Sequence, residues 1–549
     1  MTKVLIIGLD GGDPHLVRRF MEAGDLPHLA GLAERGHCGP LLSTANAMSP
    51  AAWSSFVTGL NPGNHGVFYF LDRIPGTYQT RYVSSQSRAG TPLWSALSAH
   101  GRRVCSLFVP LTYPAVEVNG VLASGWLAPS LDSPRYGHPA DLAQRIRAIA
   151  PDFELHTGMT EFVRRGQYQE ALDRKLRSLD AKARVATDLL ADEDWDLFTV
   201  VFDETDPIQH YFWHFMDETH PEHTPEGRRA FGDAILRIYQ AADVAVGTLL
   251  ERVGDETQVL VISDHGYGPN QRAQLYLRGL LRACGLETPA RRSLSSRTVR
   301  GAYAAACRAL PSGVKHRLAN RFRSLHERVE QLSFAGDIDW RRTRAYTFWS
   351  SGCSEPWINL EGRDPEGIVA GEDCAAVIEE VRAAVLGAVD DRTGRPVARQ
   401  VLRKDEAYAG PHLDRAPDLL IEWQPDLVTT GLRTASGTAV AEPIAEDLRT
   451  GNHRREGLLI AGNGSRQSAV HGPQSTTDDR HGIEDVAATV YGLLGLPPPH
   501  PLDGRAWEEL FPGQLTVLPP THGSIGEAAE LTEADRAVLE QRLSDLGYL

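Results

Sequence analysis

Three continuous apolar runs constrain this chain more than any other feature: Val4 to Leu9, Leu197 to Phe202 and Val259 to Ser263, each followed directly by an aspartate, Asp10, Asp203 and Asp264. A strand that is apolar on both faces is covered by helices on both sides, the pattern of parallel sheets in α/β proteins. Ligands in such sheets bind outside the carboxyl ends of the strands, so three acidic strand ends predict a site there. The stretches between the runs supply covering helices. Tyr168 to Leu190 is one, and Ala230 to Val253 is another, with Ile235, Ile238, Ala242, Val246 and Leu250 at helical spacing.

With 549 residues, 42% of them hydrophobic, the chain can bury a large core. A prior of roughly 150 residues per domain would give three or four domains, but it overcounts large α/β enzymes. A single domain over residues 1–512 is expected. Residues 291–330 are strongly basic and read as a helical insertion, bounded at about 285–340, whose charges are solvated or packed on the acidic body. Ile483, Val486, Ala487, Val490, Tyr491 and Leu494 form one apolar helix face that closes the core, with Gly495 as C-terminal cap and Pro497 as stop. Residues 513–549 read as a linker and a last helix, opened by the capping box of Thr532 and Asp535.

The formal charge of -15 argues against coating a nucleic-acid polymer, which rests on many Lys and Arg contacts. A small anionic substrate is compatible with it if bound metal reverses the local charge. The six cysteines are dispersed with no C-x-x-C pair and read as reduced, mostly buried thiols. Lys3 leads straight into the first strand and no run reaches the length of a membrane span, so no signal peptide and no membrane partner are expected, and the cytoplasm is the expected compartment.

Asp264-His265-Gly266 brings a carboxylate and an imidazole out of one strand end, half of a metal site. Ser49-Pro50 reads as an N-cap and first helical residue ahead of Trp53, Phe56, Val57 and Leu60, and a helix N-terminus favours a phosphate or an ionised nucleophile. Asp206 and His210 share one side of a helical turn, although Asp206 also suits a cap before Pro207, and His214, His220 and His223 offer a different ligand set. Carboxylates and imidazoles without thiolates suit Zn²⁺, with Mn²⁺ or Fe as alternatives.

Taken in order, these motifs resemble the alkaline phosphatase superfamily, in particular its type I phosphodiesterase and nucleotide pyrophosphatase branch. The resemblance runs from Val4 to about Trp507. It is carried by Leu9-Asp10-Gly11-Gly12, Ser49 ten residues before Gly59, Pro62 to His65-Gly66, Asp206-x-x-x-His210, Ser263-Asp264-His265-Gly266, Gly451-Asn452-His453-Arg454, and the closing Leu496-Pro497 and Asp503-Gly504. It implies a three-layer α/β sandwich with a mostly parallel central sheet and helical insertions. It also implies two divalent metal ions, one held by Asp206, His210 and His453, the other by Asp10, Asp264, His265 and the nucleophile, which falls on Ser49. Coordination would then ionise the serine hydroxyl for attack on phosphorus.

The departures bear on substrate. The nucleophile is Ser49 where the branch mostly uses Thr, which keeps the hydroxyl, and Ala52 stands where nucleotide pyrophosphatases generally carry a phosphate-contacting Asn. Pro50 directly after Ser49, with Trp53 at the place of an Arg, does not match the sulfatase pattern. The expected function is a two-metal phosphohydrolase cleaving a phosphodiester or phosphoanhydride of a small phosphorylated substrate through a Ser49 phospho-enzyme. A phosphomonoesterase on the same site and a noncatalytic metal- or anion-binding protein are the alternatives. His65 reads as fixing its loop, Trp53 as either core or pocket lining, and Asp203 and Glu204 as either strand-end residues or supports behind the ligands. His471 and His481, near Asp478 and Asp479, are expected on a surface loop.

Overall fold

The computed structural model of the chain describes residues 2–290, 337–348, 355–440, 443, 447–464 and 481–526. Most of the expected helical insertion, the last helix, and His471, Asp478 and Asp479 lie outside these residues. The three apolar runs are strands, and the central sheet built on them has nine among the described residues. In chain order these are β1 (Lys3–Leu9), β2 (His37–Leu42), β3 (Val104–Val109), β4 (Gly120–Ser124), β5 (Gly137–His138), β6 (Leu197–Phe202), β7 (Thr257–Ile262), β8 (Glu456–Asn463) and β9 (His481–Gly482). Their order across the sheet is β9-β2-β8-β7-β1-β6-β3-β4-β5.

β1 lies at the middle, parallel to β7 on one side and to β6 on the other, with Ile7 opposite both Val261 and Val200. β3 and β4 extend the parallel part, whereas β8 runs antiparallel between β7 and β2. The sheet is thus mostly parallel, and alternate residues of its strands enter two separate cores. Leu5, Ile7 and Leu9 join Phe198, Val200, Val259 and Val261 beneath the helices Tyr168–Asp192 and Ala234–Leu250. Val4 and Ile6 join Leu197, Val201, Leu260 and Ile262 beneath the helices Ser49–Thr58 and Asp485–Leu494. The period-two alternation of a strand therefore generates both outer layers from one apolar run.

Residues 270–450 leave the sheet between β7 and β8 and return to it. The described part of this stretch has its own apolar cluster, in which Leu277, Leu280 and Leu281 meet Val377, Val381 and Val385 of the helix Cys374–Leu386 and Leu419 and Ile421 of a two-stranded sheet. Its neck is a short antiparallel ribbon, Gly266–Pro269 against Gly451–Arg454. Pro289 and Ile338 form an antiparallel bridge, so the two flanks of the basic segment lie side by side.

Among the described residues no helix is long and apolar enough to cross a membrane. Of the described cysteines only Cys105 is buried, while Cys38 and Cys374 are half-buried and Cys284 is exposed, fewer buried thiols than expected. His481 is also not on a surface loop. It sits in β9, 2% exposed, with its Nε2 3.1 Å from Glu509 Oε1.

Candidate active site

The carboxyl ends of β1, β6 and β7 meet the start of the Ser49 helix and the ribbon, and all seven expected site residues come together there. Asp10 directly follows β1 and is buried. Its Oδ2 accepts a hydrogen bond from the Trp53 indole N–H at 3.2 Å, while its Oδ1 is buried with no hydrogen-bond partner. Gly8 in β1 makes room for this, since a Cβ there would come within 2.7 Å of the Trp53 ring. Trp53 is accordingly a core residue, as its helix face predicted, whose polar edge also reaches the site. Asp264 repeats the pattern: Oδ1 accepts from the Gly11 N–H at 3.0 Å, and Oδ2 is buried without a partner.

Ser49 is the first residue of its helix rather than the cap. Met48 is extended and its carbonyl accepts the first intrahelical bond, from Ala52 at 2.9 Å. The serine hydroxyl is therefore not committed to backbone N–H groups, and its Oγ lies 3.2 Å from His265 Nε2. Around that same nitrogen stand Asp264 Oδ2 at 3.3 Å and Asp10 Oδ1 at 3.8 Å. The two orphaned carboxylate oxygens thus face one imidazole nitrogen.

The second half of the site hangs on the helix Thr205–Met216, in which Glu204, not Asp206, occupies the cap position. Asp206 Oδ1 lies 3.7 Å from His210 Nε2 and 3.3 Å from His453 Nε2, and these two nitrogens are 3.2 Å apart. Asp206, His210 and His453 form one three-ligand group and Asp10, Asp206 and His265 another. Asp206 is common to both, which spacing alone did not indicate.

The histidine tautomers follow from the outer hydrogen bonds. His210 Nδ1 is 3.0 Å from the Gly451 carbonyl, His453 Nδ1 is 2.9 Å from the Ala47 carbonyl, and His265 Nδ1 is 3.2 Å from the Gly266 carbonyl. A carbonyl only accepts, so each Nδ1 carries the proton and each Nε2 presents a lone pair. Two lone pairs facing each other at 3.2 Å repel unless positive charge sits between them. Backbone-tethered imidazoles are the usual outer support of metal-ligating histidines. With the orphaned Asp10 and Asp264 oxygens, this donor set fits divalent cations.

Electrostatics agree. Burial, then the neighbouring Asp264, Asp206 and Asp203, raises the Asp10 carboxyl well above its ordinary range. Burial also works to raise Asp206, but His210, His453 and His265 hold it below the usual carboxylate range. Burial lowers His210 and His265 against the opposing pull of Asp206 and Asp264 respectively. The cluster is a buried acidic group short of positive charge.

Several other polar residues have structural partners instead. Asp203, the third strand-end acid, turns away to an ion pair with buried Lys182, which also reaches Glu204 at 2.8 Å. His65 accepts from the Val67 N–H at 3.1 Å and bonds Ser55 Oγ at 3.0 Å, fixing the loop after the Ser49 helix. His214 packs on Phe215, with ring centroids 3.8 Å apart, and bonds Thr450. Two contributors escaped the sequence reading. Ala47 turns its carbonyl to His453 with φ of 46°, and nothing in its residue type signals this. Tyr267 contacts Asp206, and the signal available was its place two residues after His265, on the same face of an extended segment.

Comparison with known proteins is consistent with this geometry. The model of the family described as type I phosphodiesterase / nucleotide pyrophosphatase matches residues 4–442. No curated protein matches the sequence. Among solved structures, phosphonoacetate hydrolase from Sinorhizobium meliloti in complex with phosphonoformate is similar with a TM-score of 0.52 at 16% identity, covering 88% of this chain and 94% of that one. An inactive murine ectonucleotide pyrophosphatase / phosphodiesterase 5 in complex with AMP is similar with a TM-score of 0.47 at 14% identity, covering 94% of this chain and 100% of that one. At these identities the first likeness speaks for the fold alone.

Proposed function

The chain belongs to the type I phosphodiesterase/nucleotide pyrophosphatase family and is a hydrolase acting on phosphate esters; within that class we propose that it cleaves a phosphodiester or phosphoanhydride through a phospho-enzyme formed on Ser49. The observation that carries this reading is the Ser49 hydroxyl, free of backbone N–H groups and 3.2 Å from His265 Nε2, beside the two partnerless oxygens of Asp10 and Asp264.

In this reading Asp10, Asp264, His265 and Ser49 hold one cation, and Asp206, His210 and His453 hold the other. Two divalent cations bound there would supply the positive charge that ionises the serine hydroxyl and stabilises the departing oxygen. The three carboxylates bring -3 and the ionised serine a further -1, which two such cations balance before an anionic substrate arrives. Ser49 Oγ bonds to phosphorus as the bond to the leaving oxygen breaks, and water then cleaves the phosphoserine to restore the hydroxyl. The start of the helix behind Ser49 favours the extra negative charge of that state. Zinc is the cation we favour, ahead of manganese or iron. A small phosphorylated substrate and a cytoplasmic setting complete the proposal.

The test is turnover of aryl phosphate mono- and diesters by the metal-loaded chain, its chelated form and Ser49→Ala. Faster diester cleavage that chelation and Ser49→Ala both abolish is expected. Full turnover by protein shown to be metal-free by elemental analysis would refute the cation assignment, and activity surviving in Ser49→Ala would refute the nucleophile.

A further inference from the structure

Tyr267 lies in the ribbon directly opposite His453, and cross-strand partners in an antiparallel pair present their side chains on one face. Its phenol donates to Asp206 Oδ1 at 2.7 Å, the same oxygen that lies 3.3 Å from His453 Nε2, 3.7 Å from His210 Nε2 and 4.0 Å from His265 Nε2. The ring is buried against the rings of His210, His453 and His265 at centroid distances of 5.2, 5.5 and 5.9 Å. Its seat is prepared from the far side as well. Gly11 has φ of 66°, and a Cβ there would come within 2.7 Å of Tyr267 Cε2.

The three site carboxylates are therefore not held alike. On Asp10 and Asp264 a donor takes one oxygen and leaves the other facing His265. On Asp206 the donor takes the oxygen that itself faces the imidazoles. A carboxylate oxygen has two lone-pair directions, so the phenol occupies one and aims the other at the ligand nitrogens. We propose that Tyr267 is a positioning residue that fixes Asp206 Oδ1 at the junction of the two ligand groups and thereby sets the affinity of the Asp206–His210–His453 cation site. This rests on the two-cation reading above. It extends that reading by making the two sites unequal in their dependence on one hydroxyl. The ribbon register is what delivers the hydroxyl and the His453 ring to Asp206 together.

The test is zinc titration of the metal-free full-length chain by calorimetry, for wild type, Tyr267→Phe, Asp206→Asn and the double variant. Loss of an outer-shell hydrogen bond typically weakens metal binding about 10- to 100-fold, and Tyr267→Phe is expected to do so at one of two sites. In the Asp206→Asn background the same substitution is expected to have no further effect. Tyr211→Phe serves as the control, since that phenol bonds Thr160 Oγ1 at 2.6 Å and touches no ligand oxygen; it should titrate as wild type. Two unchanged affinities in Tyr267→Phe would overturn the positioning role. So would an equal extra loss in the Asp206→Asn background. Weakening at both sites together with a lower melting midpoint of the metal-free variant would show a merely structural effect and overturn it too. A wild-type chain that binds no zinc, manganese or iron would remove the two-cation reading along with it.

Discussion

The His453 ring is held by the backbone just ahead of Ser49: its Nδ1–H points to the Ala47 carbonyl at 2.9 Å, two residues before Ser49. The ring we propose as a ligand of one cation and the hydroxyl we propose as nucleophile therefore depend on a single turn of chain. Displacing that turn disturbs both halves of the site together.

Ala47 makes the contact with φ of 46°, where a side chain is strained and a β-branched one is a severe outlier. Ala47→Gly is expected to retain activity and to be at least as stable as wild type. Ala47→Val should cost on the order of 1–3 kcal/mol and should weaken zinc binding by misaiming the carbonyl. Thermal melts and zinc titrations of the two variants check this, and a Val variant indistinguishable from wild type would count against the coupling.

Ser49→Ala is expected to reduce kcat by about 10³-fold or more, as loss of a covalent nucleophile does, with the fold retained because a buried alanine replaces a hydroxyl outside the cap. Acid-quenched wild-type enzyme given labelled diester should carry label on Ser49. Full labelling of the alanine variant would place the intermediate elsewhere.

Trp53→Phe keeps an aromatic ring in the core but removes the N–H that holds Asp10 Oδ2. A buried acceptor left unpaired costs about 1–3 kcal/mol. The variant should melt lower when metal-free, and added zinc should recover part of that loss by binding Asp10. Equal melting of the two metal-free proteins would show that the indole bond contributes nothing.

Acid should destabilise the metal-free fold through histidines that are buried as neutral rings. Burial lowers His37 to about 4, helped by His481, and His214 to about 4, helped by His220. An unfolded histidine titrates near 6.5, so between about 6.5 and 4 the unfolded chain binds more protons and stability falls as pH falls. Melting midpoints should drop steadily over that window, and His37→Gln should flatten the slope. An unchanged slope would remove His37 from the account.

Local pattern made the centre of the sheet and the site inventory legible. The runs starting at Val4, Leu197 and Val259 are strands because no charged residue interrupts them, and the expected helix from Tyr168 is seen at Tyr168–Asp192. The seven residues we propose for the site come together in space; five of them stand at or beside a strand or helix end, whereas His210 lies within the helix Thr205–Met216 and His453 within the ribbon strand Gly451–Arg454. What local pattern does not encode is pairing over long separations. The antiparallel insertion of β8 between β7 and β2 and the ribbon register that sets Tyr267 opposite His453 join segments far apart in the chain. Capping at Met48 was missed for a related reason, since an extended Met offers no side-chain signal and Ser49-Pro50 imitates the usual start of a helix.

The four-residue ribbon at the neck of residues 270–450 also fixes how far apart that stretch begins and ends. Whatever lies beyond Pro269 and before Gly451 is, topologically, a single loop whose anchor points are clamped. The closure entropy of such a loop grows only logarithmically with its length. Chain length there is therefore gained or lost at little closure cost, with Tyr267 and His453 still held in register, while an exchanged stretch must keep its packing on the body, such as the Arg73–Asp364 ion pair and the Tyr78–Trp340 stack. Grafting the stretch from another family member onto this neck, with those contacts kept, tests whether substrate preference resides in it.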